Sequence, residues 1–299
     1  MILCVAANPS IDRLFGVKGL EVGAIHRPTS FAQVPGGKGL NAARAAHALG
    51  GDVEAAALLG GHAGRWIADQ VESVGIPLHA AWTHRETRSS LSVHGAPEGL
   101  TEFYEHGDPV TAEEWAGFAA VVAEAGPRAQ WMTISGSLPE GAPADGYVSL
   151  VDLTRVAFDS TAEGIAAGVT VVKLNTDEAA RVTGAATSDE AGALAAARQL
   201  AERCGGTAVV TRGPRGAVLV AADGTALSGS LNARGPYPVG SGDAFLAGLV
   251  VALHGGADWA GALRAALGAG AANADEMGAG VLDREMAERL AGQAVIQTM

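Results

Sequence analysis

Short apolar runs that stop at turn residues, with alanine-rich helical stretches between them, recur along this chain. Ile2-Leu3-Cys4-Val5-Ala6-Ala7 stops at Asn8-Pro9, and Trp131 to Ser135 stops at Gly136. A run of this length with no polar alternation reads as a strand buried on both faces. Parallel strands need a crossover between them, and the intervening helices supply it. The pattern predicts an α/β fold with a mainly parallel central sheet and helices on both faces.

Further strands are expected at Ala55 to Leu59, Val156 to Phe158, Val169 to Val172, Ala208 to Thr211 and Ala217 to Ala221. Helices are expected at Leu40 to Leu49, Ala63 to Val74, Thr111 to Ala125, Thr176 to Thr183, Ser188 to Arg203, Asp243 to His254, Trp259 to Asn273 and Arg284 to Leu290. Gly50, Gly75, Gly184 and Gly205 supply helix stops. Thr111, with Glu114 three residues later, forms a capping box. Two segments, about 8–32 and 87–107, break this rhythm. Ser89 to Val93 and Thr101 to Tyr104 are expected as strands around a turn at Gly95 to Gly99. Such strands at the ligand edge of the sheet would form a lid on one domain spanning 1–299.

The composition excludes several function classes. Net charge is −12 over 299 residues, with no basic footprint for nucleic acid or an anionic membrane. Cys4 and Cys204 are the only cysteines, which rules out a disulfide framework or a zinc pattern and fits a reducing compartment. A cytoplasmic location is expected. An anionic ligand would have to be held by a few placed cations and by backbone N–H groups.

Gly240-Ser241-Gly242-Asp243 opens an apolar helix. Small residues allow close backbone approach, and the first helical N–H groups lack internal partners and favour an anion. An aspartate there either caps the helix or accepts a proton from a hydroxyl while the amides hold charge on a transferring phosphoryl group. Gly36-Gly37-Lys38-Gly39-Leu40-Asn41 offers a second glycine loop, with a point charge at Lys38 and a hydroxyl-binding amide at Asn41. It is not a P-loop. Gly37 to Ala42 fits the loose dinucleotide pattern, followed by Asp52 and Glu54, although it does not directly follow the first strand. Lys173-Leu174-Asn175-Thr176-Asp177-Glu178 is either an acidic first helical turn or a set of oxygen ligands near Mg²⁺. Asp12 falls just past the first strand, where open α/β sheets bind ligands.

Together these segments resemble the PfkB, or ribokinase-like, carbohydrate kinases, and within them the 1-phosphofructokinase and tagatose-6-phosphate kinase branch. The resemblance rests on Asn8-Pro9-Ser10-Ile11-Asp12, Gly36 to Ala43, Ser135-Gly136-Ser137-Leu138-Pro139, Lys173-Leu174-Asn175 with Glu178, and Val239 to Phe245. It implies a three-layer α/β/α fold with a small β-sheet lid, and ATP and Mg²⁺ as cofactors. Asp243 would be the base, with Gly240, Ser241 and Gly242 as the anion hole. Asp12, Gly36, Gly37, Lys38, Asn41 and Arg88 would hold a phosphorylated sugar. Lys173, Asn175, Thr211, Gly213, Gly216 and Asn273 would serve the nucleotide, and Glu178 the metal through water.

The chain departs from the branch on the lid. Ser90 and Ser92 stand where the branch carries Asn and Lys, and Tyr104 stands where it carries Asn. Between Pro139 and Asp159 the chain is about five residues short, so a truncated helix is expected there. The resemblance implies a sugar phosphate of the fructose 1-phosphate or tagatose 6-phosphate type as acceptor of the ATP γ-phosphoryl group, and these departures open a related sugar or cyclitol phosphate as an alternative. An unphosphorylated sugar or nucleoside, and a non-catalytic sensor of sugar phosphate or ATP, are the competing functions. Open lid edges could pair two copies into a homodimer.

Overall fold

The computed structural model describes residues 1–95, 99–160 and 168–299. The chain opens with β1 (Ile2–Ala6), β2 (Ser10–Val17) and β3 (Ser30–Gly36), then α1 (Lys38–Ala48), β4 (Val53–Gly60) and α2 (Gly61–Ser73). Next come β5 (Leu78–Thr83), β6 (Ser89–Gly95), β7 (Gly99–Tyr104), α3 (Ala112–Ala125), β8 (Trp131–Ser135) and β9 (Arg155–Asp159). The second half runs β10 (Val171–Asn175), α4 (Thr176–Thr183), α5 (Glu190–Cys204), β11 (Thr207–Thr211), β12 (Ala217–Val220) and β13 (Ala226–Ser230). It closes with α6 (Ser241–His254), α7 (Trp259–Asp275), α8 (Arg284–Ala291) and β14 (Val295–Thr298).

Ten strands form the central sheet in the order β14-β13-β12-β11-β10-β9-β8-β1-β4-β5. Neighbours from β5 through β11 pair in parallel, while β11 to β14 pair antiparallel. Strand β1 is central and fully buried, and its alternate residues feed two cores. Ile2, Cys4 and Ala6 pack with α1, α2, α6, α7 and α8, whereas Leu3 and Val5 pack with α3, α4 and α5. This is the expected three-layer arrangement. The order steps from β1 to β4 on one side and to β8 on the other. Crossovers therefore diverge beside β1 and leave a crevice at the carboxyl ends of the strands.

The lid is a separate four-stranded sheet, β3-β2-β6-β7. Strand β3 runs to Gly36, beyond the expected limit near residue 32, because Ser10–Gly16 pairs along all of Ser30–Gly36. The glycine loop therefore starts where a lid strand ends. The tip of the expected turn at Gly95 to Gly99 lies outside the described residues.

Three strands escaped the pattern reading: β5, β13 and β14. β5 and β14 are sheet edges with exposed positions, so they lack an apolar run, and β13 is a short Ala-Leu-Ser-Gly-Ser stretch. Strand β10 runs from Val171 to Asn175 instead of ending at Val172, carried on by pairing with β11. Between Pro139 and Asp159 the helical content is one 3-10 turn at Val148–Leu150, which matches the expected truncation. Among the described residues no helix is long and apolar enough to cross a membrane.

Candidate active site

A cavity of about 1340 Å³ lies between the lid and the carboxyl ends of the central strands. Asn8 after β1, Gly136 after β8, Ser160 after β9, Asn175 ending β10 and Thr211 ending β11 all line it. The N-terminal turn of α6 closes the floor.

Asp243 sits in that turn and is 6% exposed. Asn41, from α1, donates Nδ2 to Asp243 Oδ2 at 2.8 Å. Burial, then the nearby Asp159 charge, push the Asp243 carboxyl up from 3.8 to about 6, against Lys38, Lys173 and the Asn41 hydrogen bond. A carboxylate tuned toward neutrality is suited to take up a proton and later release it. Gly240 reaches φ 80° at the N-cap, a left-handed conformation that favours glycine, and a side chain there would strike Ala279. The amides of Ser241 and Asp243 donate to Pro238 and Gly240 carbonyls. Among the described residues, Gly242's amide has no protein acceptor. The expected anion hole is thus narrower than three amides. Ser241 Oγ, buried without a partner, stands beside it.

Lys38, the first residue of α1, donates to Asp159 Oδ1 at 3.0 Å and to Glu178 Oε1 at 2.9 Å. Lys173 donates to the other oxygen of Asp159 at 2.6 Å. Asp159 is fully buried; burial opposes its charge, yet Lys173 and Lys38 hold its carboxyl below the usual range. Burial likewise opposes the charge on Lys38, and Asp159, Asp243 and Glu178 together raise its pKa. Lys38 lines the cavity with its ammonium bonded to Asp159 and Glu178. Glu178 and Asn175 form a capping box at the start of α4, with each side chain bonded to the other's backbone N–H at 2.8–2.9 Å. Cap and site are one device, since Glu178's other oxygen faces Lys38.

On the lid side, Asp12 accepts from Ser10 Oγ at 2.6 Å and from the Gly37 amide at 3.3 Å. Burial holds its carboxyl above the ordinary value, against those bonds and the charges of Arg88 and Arg44. Gly36 makes room for it: a methyl there would collide with the Asp12 carboxylate. Arg88 donates to Asn8 Oδ1, Asn8 O and Ser90 Oγ at 3.0, 3.1 and 3.2 Å. Opposite, Tyr104 OH and Ser92 Oγ donate to Glu102 Oε1 at 2.6 and 3.4 Å. Among the described residues no cation pairs with Glu102.

At the far end, Thr211, Gly213 and Gly216 line the cavity together with Leu231, Ala233, Leu267 and Ala271, giving an apolar slot. Asn273 does not reach it. The residue is 0% exposed, donates to Val239 O at 2.8 Å and accepts from the Gly280 amide at 2.7 Å. With its amide spent inside the protein, Asn273 forms wall structure, which corrects the expected contact with adenine. Slot, unpaired Gly242 amide and orphaned Ser241 hydroxyl together fit a nucleotide whose phosphates end at α6. No group of three or more His, Cys, Asp or Glu among the described residues could hold a metal by itself. A Mg²⁺ would therefore be held mainly by the nucleotide's own phosphates, with Glu178 reaching it through water.

Several members of the site carried no sequence signal. Asp159 ends an apolar strand with no motif around it. Arg44 lies on α1 three residues past Asn41, where it reads as an ordinary surface position. Tyr147 is fully buried and donates to Gly136 O and Ser137 O at 3.4 and 3.3 Å, so it props the loop after β8.

The fold brings two glycine-rich helix starts, those of α1 and α6, to one cavity. Residues 3–285 match the pfkB family of carbohydrate kinases, and the chain belongs to that family. It is similar to the 1-phosphofructokinase of Haloferax volcanii, 31% identical over 276 residues that span 88% of each chain. Its fold is similar to Escherichia coli phosphofructokinase-2 in complex with substrates and products, at TM-score 0.87 and 21% identity, over 98% of both chains. Arabidopsis thaliana ribokinase complexed with ribose and ATP superposes at TM-score 0.74 and 16% identity, over 97% of this chain and 98% of that one. The chain is a carbohydrate kinase of this fold.

Proposed function

We propose that this enzyme transfers the γ-phosphoryl group of ATP to a hydroxyl of a phosphorylated sugar, with Asp243 as the base. The observation that carries the reading is Asp243 itself. It is a buried carboxyl near pH 6, held on one oxygen by Asn41, beside an unpaired amide at Gly242. The acceptor would lie across Asp12 and Asn41 under the lid, with its phosphate at Arg88 and its reacting hydroxyl at the second oxygen of Asp243. Asp243 takes that proton, while Gly242, Ser241 and Lys38 meet the charge on the transferring group. Lys38, held by Asp159 and Glu178, acts toward the donor phosphates, beside Asn175 and Lys173. Bound Mg²⁺ would neutralise phosphate charge there. The Haloferax relative, a 1-phosphofructokinase, supports the phosphorylated acceptor.

A second reading concerns the acceptor's identity. Glu102 faces the cavity with only neutral donors around it, so this part of the lid suits hydroxyls of a sugar or cyclitol better than a phosphate. That favours a single phosphate, at Arg88, on a hydroxyl-rich ring. An ATP-consumption screen against phosphorylated sugars, cyclitol phosphates and their neutral parents tests both readings. Turnover with neutral compounds alone would sink the phosphorylated acceptor, and ligand binding without turnover would favour a sensor. The lid's outer face shows Phe31 and Phe103, each 57% exposed, which supports pairing of two copies there. Sedimentation of a Phe31→Glu, Phe103→Glu variant tests it.

A further inference from the structure

Arg44 has a set of contacts that neither glycine motif requires. It leaves α1 one turn after Asn41 and donates Nη2 to Asn41 Oδ1 at 3.0 Å. It donates Nε to Pro35 O at 3.0 Å, and Nη2 also to Ala279 O. A guanidinium has no acceptor, so the Asn41 atom that faces it must be the oxygen. The amide can then present only its NH₂ to Asp243, which is the observed bond at 2.8 Å. The third contact reaches the same place by another route. The Ala279–Gly280 loop is wedged between Gly240 and Asn41: added side chains at Gly240 and Gly280 would strike Ala279 and the Asn41 backbone respectively. Arg44 thus ties the lid strand's end, the Asn41 amide and the loop against α6 into one unit.

We propose that Arg44 is a positioning residue that fixes the orientation of the Asn41 amide and the seat of α6, and through them the carboxylate of Asp243. It does not line the cavity. The inference deepens the kinase reading given above and rests on it.

The charges around Asp243 define what loss of Arg44 would do. Helix α1 brings Lys38 and Arg44, β9 brings Asp159, β10 brings Lys173, and the lid brings Asp12 and Tyr104. Burial lowers the Arg44 pKa to about 10, against Asp12 and Asp243, so Arg44 stays charged wherever Asp243 titrates. Without it, the Asn41 amide can turn its oxygen to Asp243, replacing a donated hydrogen bond with repulsion. The Asp243 carboxyl then rises above its present value of about 6.

The test is a double-mutant cycle on the full chain, with ATP and fructose 1-phosphate as the probe acceptor. Arg44→Met and Asn41→Ala are each expected to cut kcat by about a hundredfold, the scale of a small misplacement of reacting groups. The KM for ATP should not move, and the acid limb of kcat/KM should shift upward in Arg44→Met. Because one residue acts through the other, the double variant should lose no more than the worse single. Additive losses, or wild-type kcat and acid limb in folded Arg44→Met, would overturn the proposal. If the methionine variant does not fold, Arg44→Lys replaces it, since an ammonium cannot span all three carbonyls. A readout without turnover separates this proposal from the kinase reading. The melting-temperature difference between wild type and Asp243→Asn, followed against pH, reports the Asp243 ionisation. Its midpoint should rise in the Arg44→Lys background, and an unmoved midpoint counts against Arg44 even if no acceptor supports ATP consumption.

Discussion

Lys38 and Asp159, 121 positions apart in the chain, meet at 3.0 Å on the cavity floor, and Lys173 shares the same carboxylate from beneath. Among the described residues Asp159 is the anion that bonds both lysines, while Glu178 bonds Lys38 alone. Replacing it with asparagine leaves the buried Lys173 without its carboxylate and Lys38 with Glu178 alone. Removing one partner of a buried pair costs on the order of 3–5 kcal/mol. Asp159→Asn should therefore unfold at clearly lower urea concentration than wild type. A loss below about 1 kcal/mol, the scale of an exposed ion pair, would show that the cluster is solvated after all.

Asp243 makes the opposite trade. Its folded pKa of about 6 lies above the ordinary 3.8, with burial the main cause. The folded state holds this proton more tightly than the unfolded chain does. That contribution to stability is fully present below about pH 4 and is lost as pH rises through about 6. A shift of about two pH units corresponds to roughly 3 kcal/mol at neutral pH. Asp243→Asn should melt at higher temperature than wild type at pH 7.5 and close to it at pH 4, while turnover falls by at least a hundredfold. Equal melting at both values would show that the site does not strain this carboxylate.

The same titration should shape the rate. If Asp243 is the base, kcat/KM must fall below about pH 6 with a slope of one proton. An acid limb near pH 4 would assign the proton to a solvent-exposed carboxyl instead.

Both glycine-rich helix starts were legible because they are local: small residues, one functional side chain, then an apolar helix. The alternation of buried strands and helices gave the layers for the same reason. The residues that complete the site come from strand ends and helix flanks far apart in the chain. Asp159 shows no local pattern, and only the pairing of β9 with β8 and β10 carries it to Lys38 and Lys173. Lys38 illustrates the converse. Its position was readable, but its direction depends on two carboxylates 121 and 140 residues away. Asn273 was misread because an asparagine near the end of a helix looks alike whether it faces a ligand or seals a wall. Edge strands β5 and β14 stayed hidden because exposed edges need no apolar run.

Gly36 offers a steric test of the acceptor side alone. The space a methyl would fill is occupied by the Asp12 carboxylate. Gly36→Ala must push Asp12 aside and disturb its bond to the Gly37 amide. The apolar slot beside Thr211, Gly213 and Gly216, proposed above for the nucleotide, is a separate part of the cavity. The variant should raise the acceptor KM by about tenfold, equivalent to about 1.4 kcal/mol, and leave the ATP KM within twofold. A change confined to the ATP KM would place the acceptor elsewhere.

The lid gives a test that should gain rather than lose activity. Ser92 on β6 stands directly opposite Glu102 on β7, and both face the cavity. A lysine at position 92 can reach Glu102 across the strands, an opposite-charge pair worth about 0.2–1 kcal/mol in a sheet. Its greater effect is on the ligand, because it cancels a cavity-facing carboxylate that no cation pairs with among the described residues. A phosphate under the lid would then meet Arg88 and a neutralised Glu102 instead of a bare anion. Ser92→Lys should raise kcat/KM for fructose 1-phosphate about fivefold, close to 1 kcal/mol of transition-state binding. For a neutral polyol it should stay constant or fall. High salt should erase much of the gain, since the added attraction is between partly exposed charges. If the ratio between phosphorylated and neutral acceptors does not change, Glu102 does not face the bound acceptor, and the lid does not select it by charge.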